Sequence, residues 1–185
     1  MYGILGEHKS DAATLKVLVR RLLNNSSLKI KAKGFDGASE MLKKGAKELR
    51  LLKNLGCKRF IICHDADGPN PSDSKEKVQE LILKPSKIDE NCCVVVPVQE
   101  IESWILADIK AVTNIFSGWR PQEIANPESR NSPKEHLRSL SRQDNKGKPR
   151  YDNTTHNEKL AKYLDLAIVR EKCPSFKPLV DFVSK

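Results

Sequence analysis

The stretch Phe60-Ile61-Ile62-Cys63-His64-Asp65-Ala66-Asp67-Gly68-Pro69-Asn70 constrains this chain more than any other, because an apolar run stops there on two acids separated by one alanine. Apolar residues ending in a Gly-Pro-Asn turn predict a β-strand that delivers its last side chains to the edge of a sheet. Residues i and i+2 of a strand share a face. Asp65 and Asp67 are therefore expected to point the same way at the strand's carboxyl end, where open α/β sheets place ligands. Two carboxylates roughly 5 Å apart repel by about 3 kcal/mol at an effective dielectric near 20. A fold that sets them so either binds a divalent cation or keeps one acid protonated; as plain turn residues they would instead cap the next helix.

Residues 1–5 predict a short strand that ends on Gly6-Glu7, followed by a helix capped by Ser10 or Asp11 with Leu15, Leu18, Val19 and Leu22 at helical spacing. Residues 28–34 alternate with period two, which predicts a strand with one wet face near a sheet edge. Residues 39–55 form a strong amphipathic pattern closed by Gly56, and a further helix is expected over 74–83, ending before Pro85. Residues 92–98 are continuously apolar, as in a strand buried on both faces, and run into Glu100 and Glu102, with helical spacing from Ile101. This order implies an α/β fold with a mostly parallel sheet, Rossmann-like, with helices on both faces. Over 117–157 glycine, proline and asparagine break the periodicity, leaving a long basic loop region with one short helix at 133–142. One helix over 158–169 and a last amphipathic segment carrying Phe176, Leu179, Val180 and Phe182 complete the chain. The expected organisation is a domain over 1–116, with 117–185 as a basic, mainly helical C-terminal extension packed on the same core.

At 185 residues the chain has room for one core and a small annex. No apolar run approaches the ~18 residues of a membrane span, and Gly6-Glu7-His8-Lys9 interrupts the apolar start before a signal peptide could form, so a cytoplasmic location is expected. Five cysteines without a C-x-x-C pair predict buried free thiols rather than a zinc site. The net charge of +9 is uneven: residues 130–185 carry 13 Lys/Arg against 7 Asp/Glu. A basic segment beside an acidic, cation-holding site suits an enzyme acting on a phosphodiester backbone, although a solvated lysine-rich surface would give the same count.

Three predicted strands end on acids: Glu7, Asp65 with Asp67, and Glu100 with Glu102. Parallel strands put their carboxyl ends on one rim, so these acids can converge. Several carboxylates without a Cys or His companion favour a hard, oxygen-ligated cation, Mg²⁺ or Mn²⁺.

Glu7-His8-Lys9-Ser10-Asp11, Asp65-Ala66-Asp67 and the run from Glu100 to Leu106 together resemble the Toprim domain of topoisomerases, bacterial primases and the OLD-family (overcoming lysogenization defect) nucleases, the last most of all. That branch carries a Glu-Gly-x-Ser/Thr-Glu/Asp motif after its first strand and a later motif similar to Glu-Ile-Glu-Asn-Tyr-Leu. The resemblance covers about residues 1–110, and it departs at His8, where the family has glycine. It implies a Mg²⁺- or Mn²⁺-dependent nuclease that cleaves nucleic acid, DNA ahead of RNA, by a two-metal mechanism. Glu7, Asp65 and Asp67 would hold one cation, Asp11 and Glu102 a second, with Glu100 in support. Glu7, Asp65, Asp67, Glu102 and a cationic residue would form the catalytic set. Lys148, Arg150 and Lys159 are the candidates for that cation, with Lys148 placed in the set, while strand alternation turns His64 away from Asp65 and His156 is a further base to consider. Small stand-alone proteins of this kind are often encoded beside an ATPase, which implies an ABC/SMC-like ATPase partner and a role in anti-phage defence. Nucleotidyl transfer, as in primases or signal-nucleotide synthases, and a non-catalytic module docking on the ATPase remain the alternatives.

Overall fold

Alternating side chains in the strands sort this molecule into layers. The computed structural model describes residues 1–88, 91–142 and 150–185. Strands β1 (Tyr2–Gly6), β2 (Ile30–Gly34), β3 (Arg59–Cys63) and β4 (Cys92–Val95) form one parallel sheet in the order β2-β1-β3-β4. Ile4, Ile61, Cys63, Cys93 and Val95 pack on one face with Leu15, Leu18 and Val19 of helix α1 (Lys9–Leu22). Leu5, Phe60 and Ile62 pack on the other with Met41, Leu49 and Leu52 of α2 (Ala38–Asn54). Each fully buried Leu or Ile contributes about 2 kcal/mol of transfer free energy, so the two-faced pattern fixes the layering. The fold is α/β, with helices on both faces of the sheet.

The sheet order makes the chain wind outward in both directions from the β1–β3 pair, which opens a crevice beyond their carboxyl ends. The start of α1 lies directly over that rim. Gly6 pairs with Gly34 across β1 and β2, and a Cβ on Gly34 would come within 2.4 Å of the Lys9 backbone. A Cβ on Gly6 would meet the Ala12 nitrogen at 2.8 Å, so only glycines let the helix approach this closely.

The chain after β3 runs through α3 (Ser72–Val78), a π-helical turn (Gln79–Leu83) and α4 (Lys84–Ser86) before reaching β4. The expected stop before Pro85 does not occur. The wide turn lies where an α-helical repeat would drive the proline ring into the carbonyl four residues back, and Lys87 ends the helix instead, at φ 58°. Strand β4 also differs from expectation: it is a sheet edge, with Cys93 and Val95 buried but Cys92 and Val94 only half-buried.

Helices α5 (Glu102–Ala107), α6 (Pro133–Arg142), α7 (Asn153–Leu160), α8 (Leu166–Lys172) and α9 (Lys177–Val183) follow. Trp104, Phe116, Trp119, Tyr151, Leu160, Phe176 and Leu179 join the cluster that holds α1, so residues on both sides of position 116 share one core. The single helix expected over 158–169 is two, α7 and α8. Asp165 breaks it by accepting the Ala167 and Ile168 N–H groups at 2.9 and 3.3 Å, the geometry of a helix N-cap. Among the described residues no helix is long and apolar enough to cross a membrane. All five cysteines are free thiols, four of them buried.

Candidate active site

The register of β1 on β3 builds the site's floor. Gly6 pairs with Cys63, so the next residues, Glu7 and His64, become neighbours across the strands. Glu7 is buried, and its Oε1 accepts the Asp65 N–H at 2.8 Å and lies 3.0 Å from His64 Nδ1. The same nitrogen is 2.7 Å from the Asp65 carbonyl oxygen. Both partners are acceptors, so the network assigns the ring proton to Nδ1. The buried His64 ring meets Asp65 at its backbone carbonyl and Glu7 from the neighbouring strand; strand alternation orients a ring relative to its own strand and says nothing of the strand beside it. Burial raises the Glu7 carboxyl's pKa, the His64 ring and the Asp65 N–H oppose that, and Asp67 and Asp11 add to it.

Asp65 is half-buried, and among the described residues its carboxylate accepts no hydrogen bond. Burial, and then the charges of Asp11, Glu102, Glu7 and Glu100, push its pKa well above the usual carboxylate range. Beyond it the backbone stays laddered to the segment after β4, with Ala66 N–H donating to the Pro97 oxygen at 3.0 Å and Asp67 N–H to the Gln99 oxygen at 2.9 Å. Asp67 and Gln99 both adopt left-handed conformations, φ 50° and 61°, each costing about 1–2 kcal/mol for an L-residue. That turn leaves Asp67 exposed, its charge felt by Glu7.

The other acids are braced. Asp11, in the first turn of α1, reaches back to accept the His8 N–H at 2.9 Å and the Ser10 hydroxyl at 3.1 Å, with the exposed His8 ring 3.3 Å away. The bond to Asp11 raises the His8 pKa. Glu100 is clamped by Lys134 at the start of α6, which donates its backbone N–H at 3.1 Å and its Nζ at 3.0 Å. Glu102, first residue of α5 and buried, accepts the Asn157 Nδ2–H at 2.9 Å. Burial pushes its carboxyl up to about 7, with Asn157 opposing and Glu100 and Asp11 adding to it.

Glu7, Asp11, Asp65, Asp67, Glu100 and Glu102 are thus drawn into one electrostatic neighbourhood. The donor set, all carboxylate oxygens with Asp65 unpartnered among the described residues, fits a hard divalent cation in kind. It is not preassembled: among the described residues no three His, Cys, Asp or Glu side chains stand together as a ready metal cage. A cation would have to draw them in, and the bonds at Asp11 and Glu100 leave those two the least available.

Of the cationic candidates, Lys148 lies outside the described residues. Arg150 sets its guanidinium over the Phe116 ring at 5.2 Å, and Lys159 is exposed on α7. Lys134, which nothing in the sequence spacing marks, stands against Glu100. His156 packs on Phe116 and accepts the Asp152 N–H at 2.9 Å, a role inside α7's first turn. Asn157 was also missed, although it had one legible signal: it shares a helical stripe with Leu160 and Leu164, a core position occupied by a polar residue.

No curated protein and no solved structure matches this chain. Residues 6–184, from the end of β1 through the last helix and including every acid of the rim and the helices that brace it, match one family model, and the chain belongs to that family, described as Domain of unknown function (DUF4276).

Proposed function

We propose that this protein is a metal-dependent phosphodiesterase that cleaves DNA at the carboxyl rim of its sheet. The observation that carries this reading is Asp65, a carboxylate with no partner among the described residues, held in the field of Glu7, Asp11, Glu100 and Glu102. Such an excess of negative charge is costly unless a cation joins it or a carboxyl takes up a proton. The likeness of the three acidic motifs to the Toprim domain supports the same chemistry, and the basic surplus of residues 130–185 supports a polyanionic substrate.

Bound divalent cations would supply an activated water and neutralise the leaving oxygen of an in-line displacement. Glu7, with one oxygen tied by the Asp65 N–H and His64, presents a fixed carboxylate. Asp65 and Asp67 offer carboxylate oxygens that accept no hydrogen bond among the described residues. Lys134 stands beside Glu100 as a cation able to face developing phosphate charge. Following the resemblance, an ABC/SMC-like ATPase is the proposed partner and anti-phage defence the proposed setting.

One observation favours a second reading, a non-catalytic module docking on that ATPase: Lys134 already neutralises Glu100, and no cage is assembled. Incubation with supercoiled plasmid and Mn²⁺ separates the two. Nicking or linearisation by the wild type, lost in Asp65→Ala, is expected, and in the absence of metal Asp65→Ala should melt higher than wild type because it relieves carboxylate repulsion. Cleavage by Asp65→Ala at the wild-type rate refutes the assigned site.

A further inference from the structure

Glu102 is held by residues from the far end of the chain. Asn157 of α7 is fully buried and donates its Nδ2–H to Glu102 Oε1 at 2.9 Å. Its Oδ1 in turn accepts the hydroxyl hydrogen of Tyr151, which is 2% exposed. An asparagine amide can present either its NH₂ or its oxygen to a neighbour. The Glu102 carboxylate only accepts and so draws the NH₂ towards itself, and the Tyr151 hydroxyl holds that orientation by donating to the Oδ1 left over.

Helix α7 does not need this chain of bonds in order to form. Asp152 caps it by accepting the Thr155 N–H at 3.0 Å, and Leu160 supplies its buried packing. Two polar side chains are nonetheless withdrawn from water to fix a single carboxylate on the acidic rim, where an apolar residue at 157 would avoid the desolvation. Outer donors of this kind commonly fix the orientation of a ligating carboxylate, and their loss typically weakens metal binding by 10–100-fold.

We propose that Tyr151 and Asn157 are positioning residues that hold Glu102 for a divalent cation: Asn157 ties one carboxylate oxygen, and Tyr151 locks the Asn157 amide. This rests on the metal-dependent reading above. Tyr151 acts through Asn157 and also stands against Glu102 itself, so the double variant should lose less than the sum of the two single losses.

The test is isothermal titration of the metal-free full chain with MnCl₂, with melting temperatures measured separately in EDTA. Tyr151→Phe and Asn157→Leu should each bind Mn²⁺ about tenfold or more weakly than wild type, and the double variant should lose less than the two single losses combined. Should Asn157→Leu fail to fold, Tyr151→Phe, which removes one hydroxyl, carries the comparison. Wild-type binding that Asp65→Asn abolishes, but that Tyr151→Phe and Asn157→Leu retain in full, overturns the positioning role and leaves the metal site standing. Additive losses in the double variant overturn the relay as well. No Mn²⁺ binding by wild type overturns the metal reading and this proposal with it.

Discussion

Glu102→Gln should flatten the pH dependence of stability. The Glu102 carboxyl has an ordinary value of 4.5 and is pushed up to about 7 in the fold. Between those values the folded protein binds more protons than the unfolded chain. Stability is therefore greatest below the unfolded value, falls as pH rises towards about 7, and stays reduced above it. A gap of this size corresponds to about 3 kcal/mol, of which about 2 kcal/mol is lost between pH 5.5 and 8. For a chain of this length that is about 4–8 °C in melting temperature. Asp65, Glu7 and His8 are also shifted upward and act in the same direction, whereas burial lowers His136 and His156, which act in the opposite direction over this range, so the Glu102 share is read as the difference between wild type and variant. Glutamine stays neutral, and its amide oxygen can still accept the Asn157 bond. The variant should therefore lose the Glu102 share of the slope and melt higher than wild type at pH 8. The assay is thermal unfolding by circular dichroism in EDTA from pH 5.5 to 8, with the exposed Glu135→Gln as control. This range avoids the acid limb, where the lowered Glu40 and Asp152 carboxyls act with opposite sign. A Glu102→Gln slope as steep as the wild type's would refute the assignment of a buried, charge-penalised carboxyl at this position.

Lys134→Met should lower the rate of Mn²⁺-dependent cleavage far more than it lowers stability, because the pair is one-third exposed on its lysine side and worth no more than about 1 kcal/mol. A wild-type rate would mean that Lys134 serves Glu100 alone. Neutralising Lys146, Lys148 and Arg150 together should weaken DNA binding and reduce the log–log salt dependence by up to about three units, close to one per phosphate contact. An unchanged slope in a filter-binding titration would assign these charges to solvated surface.

The layers and the rim were already written in the order of the residues. Period-two alternation through Ile4-Leu5 and Ile61-Ile62 decides which side chains meet which helix, and that follows from strand geometry alone. Strands joined by helical crossovers run parallel, so acids placed after β1, β3 and β4 had to share one edge. Hydrophobic periodicity reports the faces of a strand but not whether its hydrogen-bonding edge has a neighbour, which is why the apolar β4 gave no sign of being an edge. Helical spacing likewise ran through 158–169 unbroken because it cannot register that Asp165 turns its side chain onto the backbone ahead of it. The balance of the acids, by contrast, emerges from packing. His64 meets Glu7 through the β1–β3 register, Lys134 reaches Glu100 from 34 positions away, and Asn157 reaches Glu102 from 55. Contacts over such separations arise from how α6 and α7 dock on the shared core, and no local pattern of residues encodes them.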